Sequence, residues 1–233
     1  MTLRLSFTSL MADNQPLPAH LSLAGVREDY FGKTLDESSV SLDPILQFNA
    51  WFLEASRAGI KEPNAMTLAT ATASGAPSAR VVLLKDVSED GFVFYTNYKS
   101  RKAREILENP RVALVFFWPE LERQVRVEGI AHATSRHQTE RYFKSRPRGS
   151  RLGAIASHQS AVIESRTILK ERLRELEDRF RGTDDIPVPE FWGGYCVVPR
   201  AIEFWQGRPN RLHDRLRYSR EEVGPWRLER LSP

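Results

Sequence analysis

The run AMTLATATASGAPSARVVLLKDVSEDGFVFYT, residues 65–96, reads as a meander of three short strands. Segments 65–73, 78–85 and 92–96 hold the β-branched and aromatic residues that suit a pleated surface, and Ser74-Gly75 and Asp90-Gly91 between them make turns. Connections this short join antiparallel neighbours. Toward the C-terminus follow a short helix over 100–109, capped by Ser100 and closed by Asn109-Pro110, then two longer strands over 111–118 and 122–133. Toward the N-terminus, Asp43 caps a helix that Pro44 opens, with Ile45, Phe48, Phe52 and Ala55 on one face and Gly59 and Pro63 at its end. Helices are expected over 135–145, 150–157 and 164–181, the last with Leu169, Leu173, Leu176 and Phe180 along one side. Closing strands are expected over 192–198, 201–206, 211–218 and 226–231. Eight or nine strands with helices inserted at the middle suit a closed or nearly closed antiparallel barrel of the α+β class. Residues 1–40, polar and irregular, read as a mobile N-terminal arm, and 41–233 as one domain.

Composition narrows the function classes. With 233 residues, 41% hydrophobic and 27% charged, the chain is ordinary for a globular protein with a real core. A net charge of +4 fits phosphate ligands or nucleic acid and does not choose between them. The single cysteine, Cys196, excludes an intrachain disulfide, and its YCVV context reads as a buried, inert thiol. The five histidines show no HExxH or other tight ligand spacing, which argues against a metal enzyme. No apolar run approaches the roughly 20 residues that span a bilayer, and the first 23 residues lack the core of a secretory signal. A short transit peptide stays open, and a cytoplasmic protein is the default. GxSxG, GxxxxGK[ST] and GxGxxG are absent, so neither a hydrolase elbow, a P-loop nor a dinucleotide fingerprint is supported.

What remains is a set of cationic clusters. Arg211, His213 and Arg215 alternate, so an extended strand would put all three on one face, next to Trp205, Gln206 and a Gly-Arg-Pro-Asn turn. Arg80 and Lys85 bracket four apolar residues at a spacing that places them on opposite strand faces. Ser100-Arg101-Lys102 opens a helix, where free N–H groups add to side-chain charge and favour a phosphate. The segment RYFKSRPRGSR, 141–151, has five cations and no acid; Tyr142 and Arg146 share a helix face, and Ser150 is placed to cap the next helix. Gln124, between valines in a strand, needs a polar partner. Each cluster is either a solvated basic face or an anion site, and the RNA-binding alternative lacks any RRM or KH signature. Together they point to a phosphorylated planar ligand.

These residues lie in blocks that resemble the pyridoxine/pyridoxamine 5′-phosphate oxidase family: RVVLLK (80–85), FYTNYKSRKA (94–103), ERQVRVEG (122–129), YFKSRPRGSRLGA (142–154), SHQS (157–160), FWGGY (191–195) and EFWQG with NRLHDR (203–215). The resemblance runs from about Arg27 to Pro233. It implies an FMN-binding split β-barrel working as a homodimer, with both active sites at the subunit interface. It implies FMN contacts from Arg80, Val81, Val82, Leu83, Leu84, Lys85, Tyr95, Thr96, Arg101, Lys102, Gln124, Gln159, Ser160, Trp205 and Arg215. Lys85, Tyr142, Arg146 and Ser150 match the residues that hold the substrate phosphate. Arg211, Leu212 and His213 match those over the pyridine ring, with Arg211 and His213 nearest the carbon oxidised. Arg27 and Tyr30 resemble the segment that folds over bound substrate. The implied activity is oxidation of pyridoxine or pyridoxamine 5′-phosphate to pyridoxal 5′-phosphate, with O2 reduced to H2O2 and no metal, nucleic acid or membrane involved. Rival readings are a split-barrel flavoprotein acting on another ring, as in the phenazine-pathway relatives, and a basic nucleic-acid-binding module without activity.

Overall fold

The computed structural model describes Tyr30, residues 32–221 and residues 224–233. Five helices and nine strands follow in the order α1 (Pro44–Arg57), β1 (Ala65–Ala71), β2 (Pro77–Leu83), β3 (Asp86–Ser88), β4 (Gly91–Asn97), α2 (Arg101–Glu108), β5 (Arg111–Trp118), β6 (Arg123–Ala133), α3 (Arg136–Ser145), α4 (Arg148–Ala156), α5 (Arg166–Arg179), β7 (Trp192–Gln206), β8 (Asp214–Ser219) and β9 (Arg227–Arg230). Every pairing is antiparallel, in the order β2-β1-β5-β6-β7-β4-β3, with β8 also on β7 and β9 on β8. The sheet curls until its ends meet: the Lys85 N–H, just past β2, donates to the Val93 carbonyl of β4 at 2.8 Å. The α+β class and the antiparallel, curled sheet are what the strand pattern leads one to expect.

The inner face is apolar along whole rows. Leu68, Leu114, Val127, Ile202 and Tyr218 are successive cross-strand partners on β1, β5, β6, β7 and β8, and none exceeds 1% exposure. Fully burying side chains of this size contributes about 1.5–3 kcal/mol each, before the entropy of ordering them. Helix α1 lies on the same core. The Asp43 carboxylate accepts from the Ile45 N–H at 2.8 Å, and Pro44 sits at the first helical position. Its Phe48 ring meets Phe92 and Phe116 at 5.0 and 4.9 Å, and its Trp51 meets Phe204 at 5.2 Å. Leu35, expected in the arm, is 5% exposed and joins this core, so the packed body begins before residue 41.

The expected strands 192–198 and 201–206 are one strand, β7. Pro199 does not break it because it faces a bulge, where the register of β6 shifts between Glu128 and Gly129. A Cβ on Gly129 would lie 2.3 Å from the Val198 carbonyl, so only glycine admits this approach. β7 pairs with β6 along its length, but its other edge is shared: β4 takes residues 192–197 and β8 takes 201–206. That change of partner splits the barrel.

Strand expectations fail in two further places. β8 starts at Asp214, not 211, because Asn210 and Arg211 adopt left-handed φ values of 56° and 61° in the 3-10 turn Pro209–Arg211, which an extended strand excludes. Arg211 and His213 therefore precede the strand, and the alternation argument for Arg211, His213 and Arg215 fails. β2 likewise ends at Leu83. Lys85 lies beyond the strand's end, between β2 and β3, so alternation does not assign its face. Ser150 lies inside the first turn of α4, which Pro147 caps. Cys196 is half-buried rather than buried, and burial pushes its thiol pKa up. Among the described residues no helix is long and apolar enough to cross a membrane.

Candidate active site

One cavity of about 770 Å³ gathers three of the four clusters. β2 and the residues after it supply Arg80, Val81, Val82, Leu83 and Lys85; β4 supplies Tyr95, Thr96 and Asn97; α2 supplies Lys102. From the helical layer come Tyr142, Arg146, Pro147, Ser150, Gly153, Ala154, Ser157 and Gln159, and β7 adds Trp192. Four cations line it and no carboxylate does. The volume suits a ligand of cofactor size.

Its polar floor is built around Lys102. The Lys102 ammonium donates to Gln159 Oε1 at 3.0 Å and to Thr96 Oγ1 and Ser100 Oγ at 3.3 Å. Burial, then the Arg80 guanidinium, lower its pKa to about 8, with Glu105 opposing. Ser100 occupies the N-cap position of α2 but makes no side-chain cap bond, so the helix start keeps first-turn N–H groups for an anion. The Arg101 N–H donates to Ser160 Oγ at 3.1 Å, which brings the second half of the SHQS block to the same helix start.

Its aromatic wall is a stack. Tyr95 and Tyr142 lie 4.0 Å apart at 19°, and Trp192 is 5.4 Å from Tyr95 at 9°. A Cβ on Gly194 would fall 2.8 Å from the Tyr95 ring, so the second glycine of FWGGY makes room for the stack, while the first admits Tyr98. Arg146 lies over Trp192, 4.9 Å from the ring centroid, and its buried Nη1 has no hydrogen-bond partner. Burial lowers the Arg146 pKa and raises that of Tyr142. An orphaned guanidinium nitrogen beside a cavity without acids is a place for an anionic ligand.

The other expected residues lie elsewhere. Phe117, Gln124, Trp205 and Arg215 are cross-strand partners in one row over β5, β6, β7 and β8, on the sheet's outer face. Arg215 pairs with Glu203 at 2.8 Å and donates to the Ser232 carbonyl. Trp205 meets His213 at 4.7 Å, and Tyr30 stands edge-on to both at 5.6 and 5.4 Å. Burial, then Arg211, lower the His213 pKa, and its Nδ1 accepts from the Arg208 N–H. Arg211 and Leu212 are exposed. Trp205 is 13 positions from Trp192 on β7, up to roughly 40 Å at strand rise, so the two groups of expected residues lie apart in one chain. Leu84 belongs to neither: its side chain is in the core, and its N–H and carbonyl bond Asn64. Arg27 lies outside the described residues.

Sequence reasoning missed Trp192, Asn97, Ser157 and Glu105. Trp192 stands within a quoted block, FWGGY, but only its stacking shows a role. Glu105 carried no signal beyond its helix.

Comparison with known proteins follows this geometry. The family described as pyridoxamine 5′-phosphate oxidase matches residues 52–180, and the pyridoxine 5′-phosphate oxidase C-terminal dimerisation region matches 192–233. A protein of Rubrobacter xylanophilus named pyridoxine/pyridoxamine 5′-phosphate oxidase is 61% identical, over 94% of this chain and 100% of that one. One of the same name from Burkholderia thailandensis is 54% identical, over 91% and 99%. The structure of PhzG from Burkholderia lata, in complex with tetrahydrophenazine-1-carboxylic acid, is similar at TM-score 0.80 and 30% identity, covering 87% of this chain and 99% of that one. A related FMN-binding protein of Nostoc punctiforme shares the fold at TM-score 0.65 and 19% identity, over 83% and 100%.

Proposed function

The chain belongs to the pyridoxine/pyridoxamine 5′-phosphate oxidase family, and from that premise we propose that it oxidises pyridoxine or pyridoxamine 5′-phosphate to pyridoxal 5′-phosphate with FMN. The observation that carries this reading is the acid-free cavity, lined by four cations from separate segments of the chain and walled by the Tyr95, Tyr142 and Trp192 stack. That donor set fits a flavin phosphate and a substrate phosphate.

Arg80, Arg101 and Lys102, with the start of α2, hold the flavin phosphate, while Val81, Val82, Leu83, Thr96 and Gln159 border the ring system. Lys85, Tyr142, Arg146 and Ser150 hold the substrate phosphate. FMN, when bound, would supply the redox chemistry: the substrate gives up a hydride from C4′ and a proton from its hydroxyl or amino group, and O2 takes up the two electrons and two protons as H2O2. With the amine substrate, water then releases ammonia and leaves the aldehyde. The chain's residues orient and exclude water. A guanidinium stays protonated, so Arg211 fixes the pyridine ring and is not a base. His213, with its lowered pKa, offers a neutral imidazole at pH 7.

The two half-sites support a homodimer in which the Gln124, Trp205, Arg211, His213 and Arg215 group of one copy completes the cavity of the other. Each half-site carries an exposed apolar side chain, Val81 at 67% in the cavity lining and Phe117 at 55% in the Gln124 row, and Trp205, Arg211, His213 and Arg215 fall in the matched dimerisation region. Tyr30, edge-on to Trp205 and His213, then covers the bound ring. A cytoplasmic enzyme needing only these small molecules and O2 completes the reading.

The test is direct. FMN-loaded protein should be yellow and release peroxide on addition of either vitamer phosphate. A protein that cannot be loaded with FMN, or that yields no peroxide with either substrate, overturns it. Peroxide only with a phenazine precursor would favour the PhzG-like alternative.

A further inference from the structure

We propose that Glu105 is a positioning residue for the flavin phosphate, holding the Arg80 and Arg101 guanidiniums in place from behind the cavity. The inference rests on the reading of this cavity as the FMN site. Glu105 does not line the cavity, and its side chain is only 5% exposed. Its carboxylate joins two elements. Oε2 accepts from Thr70 Oγ1 on β1 at 2.5 Å, from Ser78 Oγ on β2 at 2.6 Å and from Arg80 Nη2 at 3.3 Å. Oε1 accepts from Arg101 Nε at 2.8 Å, one helical turn back.

The sheet register explains why these groups meet. Thr70 pairs with Ser78 and Leu68 with Arg80, so Thr70, Ser78 and Arg80 share the inner face, where the apolar rows end. Arg80 there also donates to Thr70 Oγ1, Ser78 Oγ and the Leu68 carbonyl. Its Nη1 and Nη2 are both engaged inward, which fixes the plane of the guanidinium. Arg101, at the cavity's edge rather than in its lining, is bound to Glu105 through Nε and stays 59% exposed, which leaves its terminal nitrogens accessible.

Charge supports the same role. Arg80, Arg101 and Lys102 crowd one corner, and Arg80 already disfavours the Lys102 ammonium. One buried carboxylate brings three cations to a net charge of about +2, which matches a phosphate monoester dianion. A carboxylate lining the cavity would repel that dianion; one placed behind the guanidiniums orients them and leaves the front cationic.

Flavin-free protein, titrated with FMN and with riboflavin and read by quenching of flavin fluorescence, separates this role from mere structural support. Riboflavin has the ring but no phosphate. Glu105→Gln should raise the FMN dissociation constant at least about 10-fold and change that for riboflavin less than about 2-fold. The alkaline fall in FMN affinity should also move to lower pH, because Glu105 and Arg80 are the charged groups acting on Lys102, beside neutral Thr96, Ser100 and Gln159. Equal losses for both ligands, or unchanged FMN affinity, would overturn the proposal. If Glu105→Gln does not fold, Glu105→Asp, which keeps the charge but is too short to reach both arginines, should give the same FMN-specific loss and is judged by the same criterion. Failure of the parent protein to bind FMN would instead remove the cavity reading, and this inference with it.

Discussion

The Arg146 guanidinium lies over the Trp192 ring at 4.9 Å, and the buried Nη1 of that arginine is without a hydrogen-bond partner. The indole holds the cation by its face and leaves the edge free for an anion. Under the proposed function, Arg146→Ala should raise KM for pyridoxine 5′-phosphate about 10- to 100-fold, the loss of one or two charged hydrogen bonds. FMN affinity should change little. Steady-state peroxide assays with a parallel flavin titration check both, and an unchanged KM would remove Arg146 from the phosphate site.

Lys102 sets a pH limit on cofactor binding. Its ammonium is already disfavoured, with a pKa near 8, and a bound phosphate favours the protonated form. Binding should therefore take up a proton, and FMN affinity should fall as pH rises past about 8. Isothermal titration in two buffers of different ionisation enthalpy reads the proton directly. Lys102→Met should bind weakly and lose this pH dependence; a mutant that keeps the same profile would assign it to another group.

Glu105 sets an acid limit on stability. Burial would raise its carboxyl pKa, but hydrogen bonds from Ser78, Thr70 and Arg101 outweigh burial and bring it to about 2, below the ordinary 4.5. A depressed carboxyl contributes stability that is complete above about pH 4.5 and lost as pH falls toward about 2. Melting temperatures of the flavin-free protein should drop across that window, and less steeply for Glu105→Gln. Parallel curves for mutant and parent would refute the link.

Two impaired variants should restore each other when assayed at substrate well below the raised KM of Arg146→Ala. Arg146→Ala damages the cavity half-site and Arg211→Ala the half-site around Trp205 and His213, while the latter should keep FMN. When subunits are mixed equally and exchanged, about half of the dimers are mixed, and one of the two sites in each is intact. Recovery of about a quarter of parental activity is expected. No recovery above either variant alone would mean that the two groups do not share an interface site.

How much was legible in the sequence differs by residue. Asp43 and Pro44, the Phe48 face, and the row ends of β5 and β6 obey local rules of capping and alternation, which neighbouring residues set among themselves. Lys85 and Arg211 do not. Both lie beyond the true strand ends, and neither the end of β2 at Leu83 nor the left-handed φ at Arg211 leaves a mark on the residue pattern of RVVLLK or NRLHDR. Glu105 is the clearest omission: one acid on an amphipathic helix becomes a buried hub only when β1 and β2 bring Thr70, Ser78 and Arg80 against it.

By itself the sequence determined the antiparallel strands, the helices, the core faces and the family, because periodicity, caps and ordered motif blocks are properties of adjacent residues. Only the tertiary structure decided that β7 is one strand shared between β4 and β8, and that its two ends carry different groups of the expected residues. It also decided that Arg146 keeps a free nitrogen and that Glu105 stands behind two arginines. Those outcomes depend on which surfaces meet after the sheet curls, and contacts between residues tens of positions apart are not encoded in any local spacing.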